Sequence, residues 1–146
     1  MPILTFDRLL PHDSNLKPTL VLSLTAEERQ RSNHRFQTDT GEEVFLRLPR
    51  GTILNSGDRI QSNTGELMEI RAKSELVITV TAKETLLLLK AAYHLGNRHV
   101  PLEVSIDYLR LSPDIVLAKM LSHLGLDMKQ ETVPFYPESG AYSHGH

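Results

Sequence analysis

Residues 76–135 alternate short apolar runs with two helical stripes, and no other feature of the chain limits its fold so tightly. Leu76–Val80 (LVITV) is rich in β-branched residues, as a strand requires. Thr81-Ala82-Lys83-Glu84 has the form of a capping box, in which a hydroxyl and a carboxylate satisfy free N–H groups at a helix start. Thr85–Leu95 consists of good helix formers, and Gly96-Asn97 supplies a stop. Val100–Ser105 and Tyr108–Leu111 are strand candidates joined by a tight turn. Ser112-Pro113-Asp114 opens a second helix, with Ser112 as N-cap and Pro113 at the first helical position. Ile115, Val116, Leu117, Met120, Leu121 and Leu124 form its apolar stripe, and Gly125 ends it. Met128–Phe135 is the last strand candidate, its pairing limited by Pro134. Strand, helix, strand, strand, helix, strand is the split-βαβ, ferredoxin-like order: two helices on one face of a four-stranded antiparallel sheet.

The first 72 residues have no helical periodicity and read as β-rich. His34–Thr38 and Glu43–Leu48 flank the polar connection Asp39-Thr40-Gly41-Glu42, a hairpin signal. Arg59–Ser62 and Glu66–Arg71 flank Asn63-Thr64-Gly65 in the same way. Pro49-Arg50-Gly51 and Asn55-Ser56-Gly57-Asp58 punctuate the stretch between them. Short strands at this spacing suggest a small sandwich or open barrel. The charge-dense Thr25–Ser32 reads as a solvated loop or edge strand. The class is therefore α+β, with a β-rich domain over 1–72, a ferredoxin-like domain over 75–136 and a Gly/Ser/His-rich tail over 137–146. Each lobe is small, so burial between the halves or in a dimer is expected to add stability.

Composition removes several chemistries. The 146 residues carry a net charge of -2, which argues against the basic face a nucleic-acid binder needs. An RNA-recognition sheet would also need stacking aromatics, and Val100–Ser105 and Met128–Val133 have none. Cysteine is absent, which excludes disulfides, thiolate metal sites and cysteine nucleophiles. No apolar run approaches the roughly 18 residues of a membrane span, and the first residues lack the pattern of a signal peptide. A cytoplasmic protein is expected. There is no G-x-S-x-G elbow, P-loop or G-x-G-x-x-G, and the adjacent pairs Glu27-Glu28 and Glu42-Glu43 point apart on a strand. Nothing suggests an enzyme.

Any metal must then be held by imidazole, carboxylate or backbone, and there are seven histidines. His12 lies in a Pro/Asp/Ser loop and His34 at a strand entry, both ordinary surface settings. His123 falls in the last turn of the second helix, where the helix dipole favours a cation. His94 and His99 flank the end of the first helix, a spacing of five that does not put both on one face. His99 precedes a strand and can be held rigidly. His144 and His146 form H-G-H, which can chelate a borderline divalent ion but cannot organise a selective site alone.

The segments RQRSNHRFQTDTGEEVFLRLPRGTIL, GDRIQSNTGELMEI, AAYHLGNRHVPLE, LRLSPDIVLAKMLSHLGL and PFYPESGAYSHGH follow one another as in the UreE urease accessory family, with YHLGNRHVPL the most specific block. The resemblance covers nearly the whole chain and is weakest over Met1–Ser23. It implies a peptide-binding-like N-terminal domain, a ferredoxin-like metal-binding domain, and a homodimer joined through the latter. It implies that His99 from both subunits meets at one interfacial Ni(II) site, that His144 and His146 complete or feed it, and that His94 is an accessory residue. Zn(II) and Cu(II) are in vitro alternatives. The implied partners are the accessory GTPase UreG and the complex of urease apoprotein with UreD and UreF. Two departures matter. Leu111-Ser112-Pro113-Asp114 lacks the histidines some relatives carry there, which puts a second internal site in doubt, and two tail histidines do not make a storage tail. The main expectation is a nickel metallochaperone for urease maturation. The alternatives are a metal-independent protein-binding module of the maturation complex and, last, a His-based metal hydrolase.

Overall fold

The computed structural model describes residues 3–12 and 15–138. The expectations placed on His144 and His146 therefore lie outside the described residues. The chain divides into two compact units between Lys73 and Ser74.

The first unit is one six-stranded mixed sheet. Its strands are β1 (Leu4–Leu9), β2 (Leu20–Leu24), β3 (Asn33–Gln37), β4 (Glu43–Arg47), β5 (Arg59–Ser62) and β6 (Leu67–Ala72), in the order β2-β6-β5-β1-β4-β3. The hairpins β3/β4 and β5/β6 form where the turn residues predict them. The parallel pairs β1/β4 and β2/β6 have no local signature. The two edges approach one another. Asp39, just after β3, donates its N–H to the Val21 carbonyl at 2.9 Å. Its carboxylate accepts from the Ser23 N–H at 3.0 Å and the Ser23 hydroxyl at 2.8 Å. The sheet is thereby rolled toward a barrel around Phe6, Leu22, Phe36, Leu46, Ile60 and Ile70.

Both hairpins use one turn design. Thr38-Asp39-Thr40-Gly41-Glu42 and Ser62-Asn63-Thr64-Gly65-Glu66 each put a glycine at positive φ, +95° at Gly41 and +96° at Gly65, where a Cβ is disfavoured. The hydroxyls of Thr38 and Thr40 donate to the Glu42 carboxylate, and those of Ser62 and Thr64 to Glu66. Those donors, led by Thr38 and Ser62 respectively, hold both carboxyls below the usual glutamate range.

Thr25–Ser32 is not merely a solvated loop. Glu28–Gln30 is a 3₁₀ turn, and Arg29 is buried with its guanidinium donating to the Leu24 carbonyl at 2.9 Å. The turn carries a closed capping box. The Thr25 N–H donates to Glu28 Oε1 at 2.9 Å and the Glu28 N–H to the Thr25 hydroxyl at 3.3 Å.

The second unit contains β7 (Ser74–Thr81), α1 (Thr85–Asn97), β8 (Glu103–Val104), β9 (Leu109–Leu111), α2 (Ile115–His123) and β10 (Asp127–Pro134). The sheet order is β10-β7-β9-β8 with every pair antiparallel, which is the ferredoxin-like topology. Ile78, Val80, Leu109 and Leu111 share one face and form the core with Leu88, Ala91 and Leu95 of α1 and Leu121 of α2.

Three local expectations are corrected. Thr81 remains in β7, paired with Asp127, so it cannot cap α1; Glu84 is the N-cap and makes no side-chain cap bond. Asp114, not Ser112, caps α2, its carboxylate accepting from the Leu117 N–H at 3.0 Å, and Pro113 lies before the helix. The strand read over Val100–Ser105 shrinks to Glu103–Val104, because residues 99–101 are spent closing the end of α1. The α2 stripe is also only partly inward: Ile115 and Val116 are 78% and 75% exposed.

Candidate metal centre

Both helices end in a Schellman motif, and the two differ in one residue. At the end of α2, Leu124 is the C-cap and Gly125 takes φ +91°. The Gly125 N–H donates to the Ser122 carbonyl at 3.0 Å and the Leu126 N–H to Leu121 at 3.1 Å. At the end of α1, Arg98 is the C-cap and His99 takes φ +59°. The His99 N–H donates to the Gly96 carbonyl at 3.0 Å and the Val100 N–H to Leu95 at 3.2 Å. Val100 packs against the core beside Leu95, as the motif's apolar contact requires. Gly96-Asn97 therefore does not stop the helix, which runs through both; the turn comes at His99.

His99 is the one non-glycine residue at positive φ among the described residues. The left-handed region costs an ordinary L-residue roughly 1–2 kcal/mol, and glycine occupies it freely. The backbone thus has no requirement for histidine here. The motif grips the main chain on both sides of His99 and leaves the residue exposed. Beside it is an open cleft of about 290 Å³, lined by Arg98, His99 and Pro101 on one side and Ser112, Pro113 and Asp114 on the other. Asp114 is the carboxylate on this cleft. Nothing in the local sequence ties it to His99, fifteen residues earlier.

The other described histidines have structural surroundings. His94, in the last turn of α1, is half-buried with its ring 5.4 Å from that of Tyr93, and its carbonyl accepts from Arg98 at 3.2 Å. His34 sits edge-on to Phe36 at 4.8 Å, and His12 Nε2 is 3.3 Å from the buried Asp58. His123 lies in the last turn of α2. No group of three or more His, Cys, Asp or Glu poised to hold a metal occurs among the described residues.

The sheet face away from the helices carries a polar row that sequence reading missed. Glu103, Arg110, Thr79 and Lys129 are register partners across all four strands. Arg110 lies 3.3 Å from Glu103 and 3.5 Å from Glu131, and stacks over the Tyr108 ring at 4.3 Å. The Thr79 hydroxyl donates to Glu131, which with Lys129 and Arg110 nearby holds that carboxyl below its ordinary range. The Tyr108 hydroxyl donates to Glu103 at 2.9 Å, and that bond, with burial and the Glu103 charge, pushes the phenol up. Glu103 is buried, and its other oxygen accepts from the Tyr136 N–H at 2.9 Å.

Fold and site define an α+β protein of two small units that offers an imidazole to its surroundings rather than a catalytic constellation. Comparison with known proteins identifies the family. Residues 6–73 match the model of the N-terminal domain, and residues 75–146 that of the C-terminal domain, of the UreE urease accessory protein. The chain is 56% identical over 145 residues to the urease accessory protein UreE of a Nostoc species, covering 99% of each chain. It is 54% identical to that of Nostoc punctiforme, covering 99% of this chain and 98% of the relative. Identity to that of Thermosynechococcus vestitus is 47% over 143 residues, covering 97% and 99%. The chain belongs to the UreE family of urease accessory proteins. That family assists urease as an accessory chaperone and is not itself an enzyme. No helix among the described residues is long and apolar enough to cross a membrane.

Proposed function

We propose that the protein is a cytoplasmic metallochaperone that carries Ni(II) to urease during metallocentre assembly, binding it between two protomers through His99 with His144 and His146 as further donors. The observation that carries this reading is the presence of histidine where the same motif in α2 uses glycine. A cationic or neutral imidazole at that position does nothing for the helix end that glycine would not do as well. Its value lies in being presented outward on a backbone fixed by two hydrogen bonds.

One imidazole does not hold a divalent ion, so the remaining ligands must come from elsewhere. A second His99 from another copy supplies one. Ile115 and Val116, exposed and directly after Asp114 on the cleft, give an apolar surface on which two C-terminal units can join. The tail supplies the others. Glu138 donates its N–H to the Leu102 carbonyl at 2.8 Å, so the tail is rooted three residues beyond His99 in sequence. From there His144 and His146 have a reach of roughly 20–28 Å when extended. Two fixed imidazoles and several loosely held ones leave an exchangeable coordination sphere, suited to a cargo that must be released. Nickel is then substrate, handed on to the urease apoprotein with UreD and UreF and exchanged with UreG; Zn(II) and Cu(II) compete for such donors in vitro.

Titration calorimetry with NiCl₂, combined with native mass measurement, tests this. The expected result is about one tightly bound nickel per dimer, lost in His99→Gly. Full affinity in that variant would sink the assignment. Capture of maturation partners that is unchanged by chelator would favour a metal-independent binding module instead. Imidazole coordinates when neutral and titrates near pH 6.5 when free, so affinity should fall steeply from about pH 7.5 to 5.5.

A further inference from the structure

We propose that Glu103 is a positioning residue for metal capture: by pinning the backbone at Tyr136 it sets the point from which the C-terminal histidines start. This rests on the reading that those histidines donate to the metal held by His99.

The path of the chain makes the case. β10 ends at Pro134, paired with Ser74 on β7, and β10 is one edge of the sheet. Two residues later the Tyr136 N–H is bonded to Glu103 of β8, the opposite edge, and Glu138 is bonded to Leu102. Phe135, between them, is fully buried. The last described residues are thus carried away from β10 and tied to the strand that follows His99. A carboxylate is an unusual anchor for a backbone amide in so buried a place, since removing it from water is costly unless it is well paired. Here every side is occupied. Glu103 Oε1 takes the Tyr136 N–H, and Oε2 takes the Tyr108 hydroxyl at 2.9 Å and the Arg110 guanidinium at 3.3 Å. Arg110 is in turn fixed by Glu131 and Thr79. The whole cross-sheet row holds one carboxylate oxygen against the root of the tail.

The consequence is a matter of effective concentration. A ligand on a short tether rooted near its site is locally abundant, and that abundance falls as roughly the −3/2 power of tether length. Releasing residues 136–138 lengthens the tether to His144 from six to nine residues and moves its root from β8 toward β10. A loss of about two- to five-fold in nickel affinity follows.

The test is a cycle of four full-fold proteins read with NiCl₂ by calorimetry: the native chain, Glu103→Ala, the chain lacking residues 143–146, and the two changes combined. Amide hydrogen exchange of the metal-free proteins runs alongside. The expected result is faster exchange at Tyr136 and Glu138 in Glu103→Ala. Nickel affinity should fall about two- to five-fold in the full-length chain and not at all in the truncated one. Tyr136→Pro removes the donor while leaving Glu103 paired with Arg110 and Tyr108, and should reproduce the affinity loss and the faster Glu138 exchange. An equal loss in full-length and truncated chains would mean that Glu103 only supports the fold, and overturns the proposal. So does unchanged exchange at Glu138. If truncation itself leaves nickel affinity intact, the tail has no donor role and this inference falls with that reading. If truncation weakens binding and Glu103→Ala does not, only this inference falls.

Discussion

The decisive residue is His99, because the fold contains its own control. The ends of α1 and α2 close through the same pair of hydrogen bonds, one around His99 at φ +59° and the other around Gly125 at φ +91°. His99→Gly should therefore leave thermal stability unchanged or raise it by up to about 1 kcal/mol, while abolishing tight nickel binding. Gly125→Ala should lower stability by about 1–2 kcal/mol, since alanine must enter the left-handed region. Its added Cβ would meet Leu87 Cδ1 at 3.9 Å, an ordinary contact, so the cost is in the backbone. Thermal denaturation of the two variants side by side checks both signs. The sequence block around His99 suggested a helix end and a rigid histidine, yet attributed the rigidity to a following strand. Only the coordinates reveal the left-handed turn, because Gly96-Asn97 offers a nearer and better-looking stop that the helix passes through.

At the scale of elements, identical local signals gave different outcomes. Thr25-Ala26-Glu27-Glu28 and Thr81-Ala82-Lys83-Glu84 are both T-A-x-E, but only the first closes a capping box. Thr81 is held extended by its pairing with Asp127, and a sheet ladder outweighs one cap. Asp114, which does cap α2, should cost about 1 kcal/mol when replaced by alanine, whereas Thr81→Ala should leave α1 intact by circular dichroism. The paired turns make a prediction in pH. Glu42 and Glu66 have carboxyls lowered from the ordinary 4.5 by their hydroxyl donors. A carboxyl depressed on folding contributes stability above its unfolded value and loses it as pH falls through the folded value. The double variant Glu42→Gln, Glu66→Gln should therefore flatten the acid limb of the melting profile below about pH 4.5, with little change at pH 7 beyond the lost bonds. Profiles that remain parallel down to pH 3 would contradict this.

For the whole molecule, the proposed site is assembled from parts that no single stretch of chain contains. One protomer presents His99 beside Asp114, and exposed Ile115 and Val116 offer a surface for a second copy. Replacing both with lysine should raise the dimer dissociation constant at least tenfold and weaken nickel binding with it, by sedimentation and calorimetry on the same samples. Nickel binding retained by a monomer would break the link between assembly and site. The division of labour between sequence and structure follows from range. Turn chemistry and hydrophobic period act over a few residues, so the hairpins β3/β4 and β5/β6, the order of elements in the second unit and the stop at Gly125 were legible in the chain. The parallel pairing of β1 with β4 and β2 with β6, the burial of Arg29, the cross-sheet row from Glu103 to Lys129 and the meeting of His99 with Asp114 were not. Each depends on which distant residues come to lie opposite one another. Only tertiary packing decides that, because a buried charge or an open cleft is a property of all the chain around it and leaves no pattern in the residues beside it.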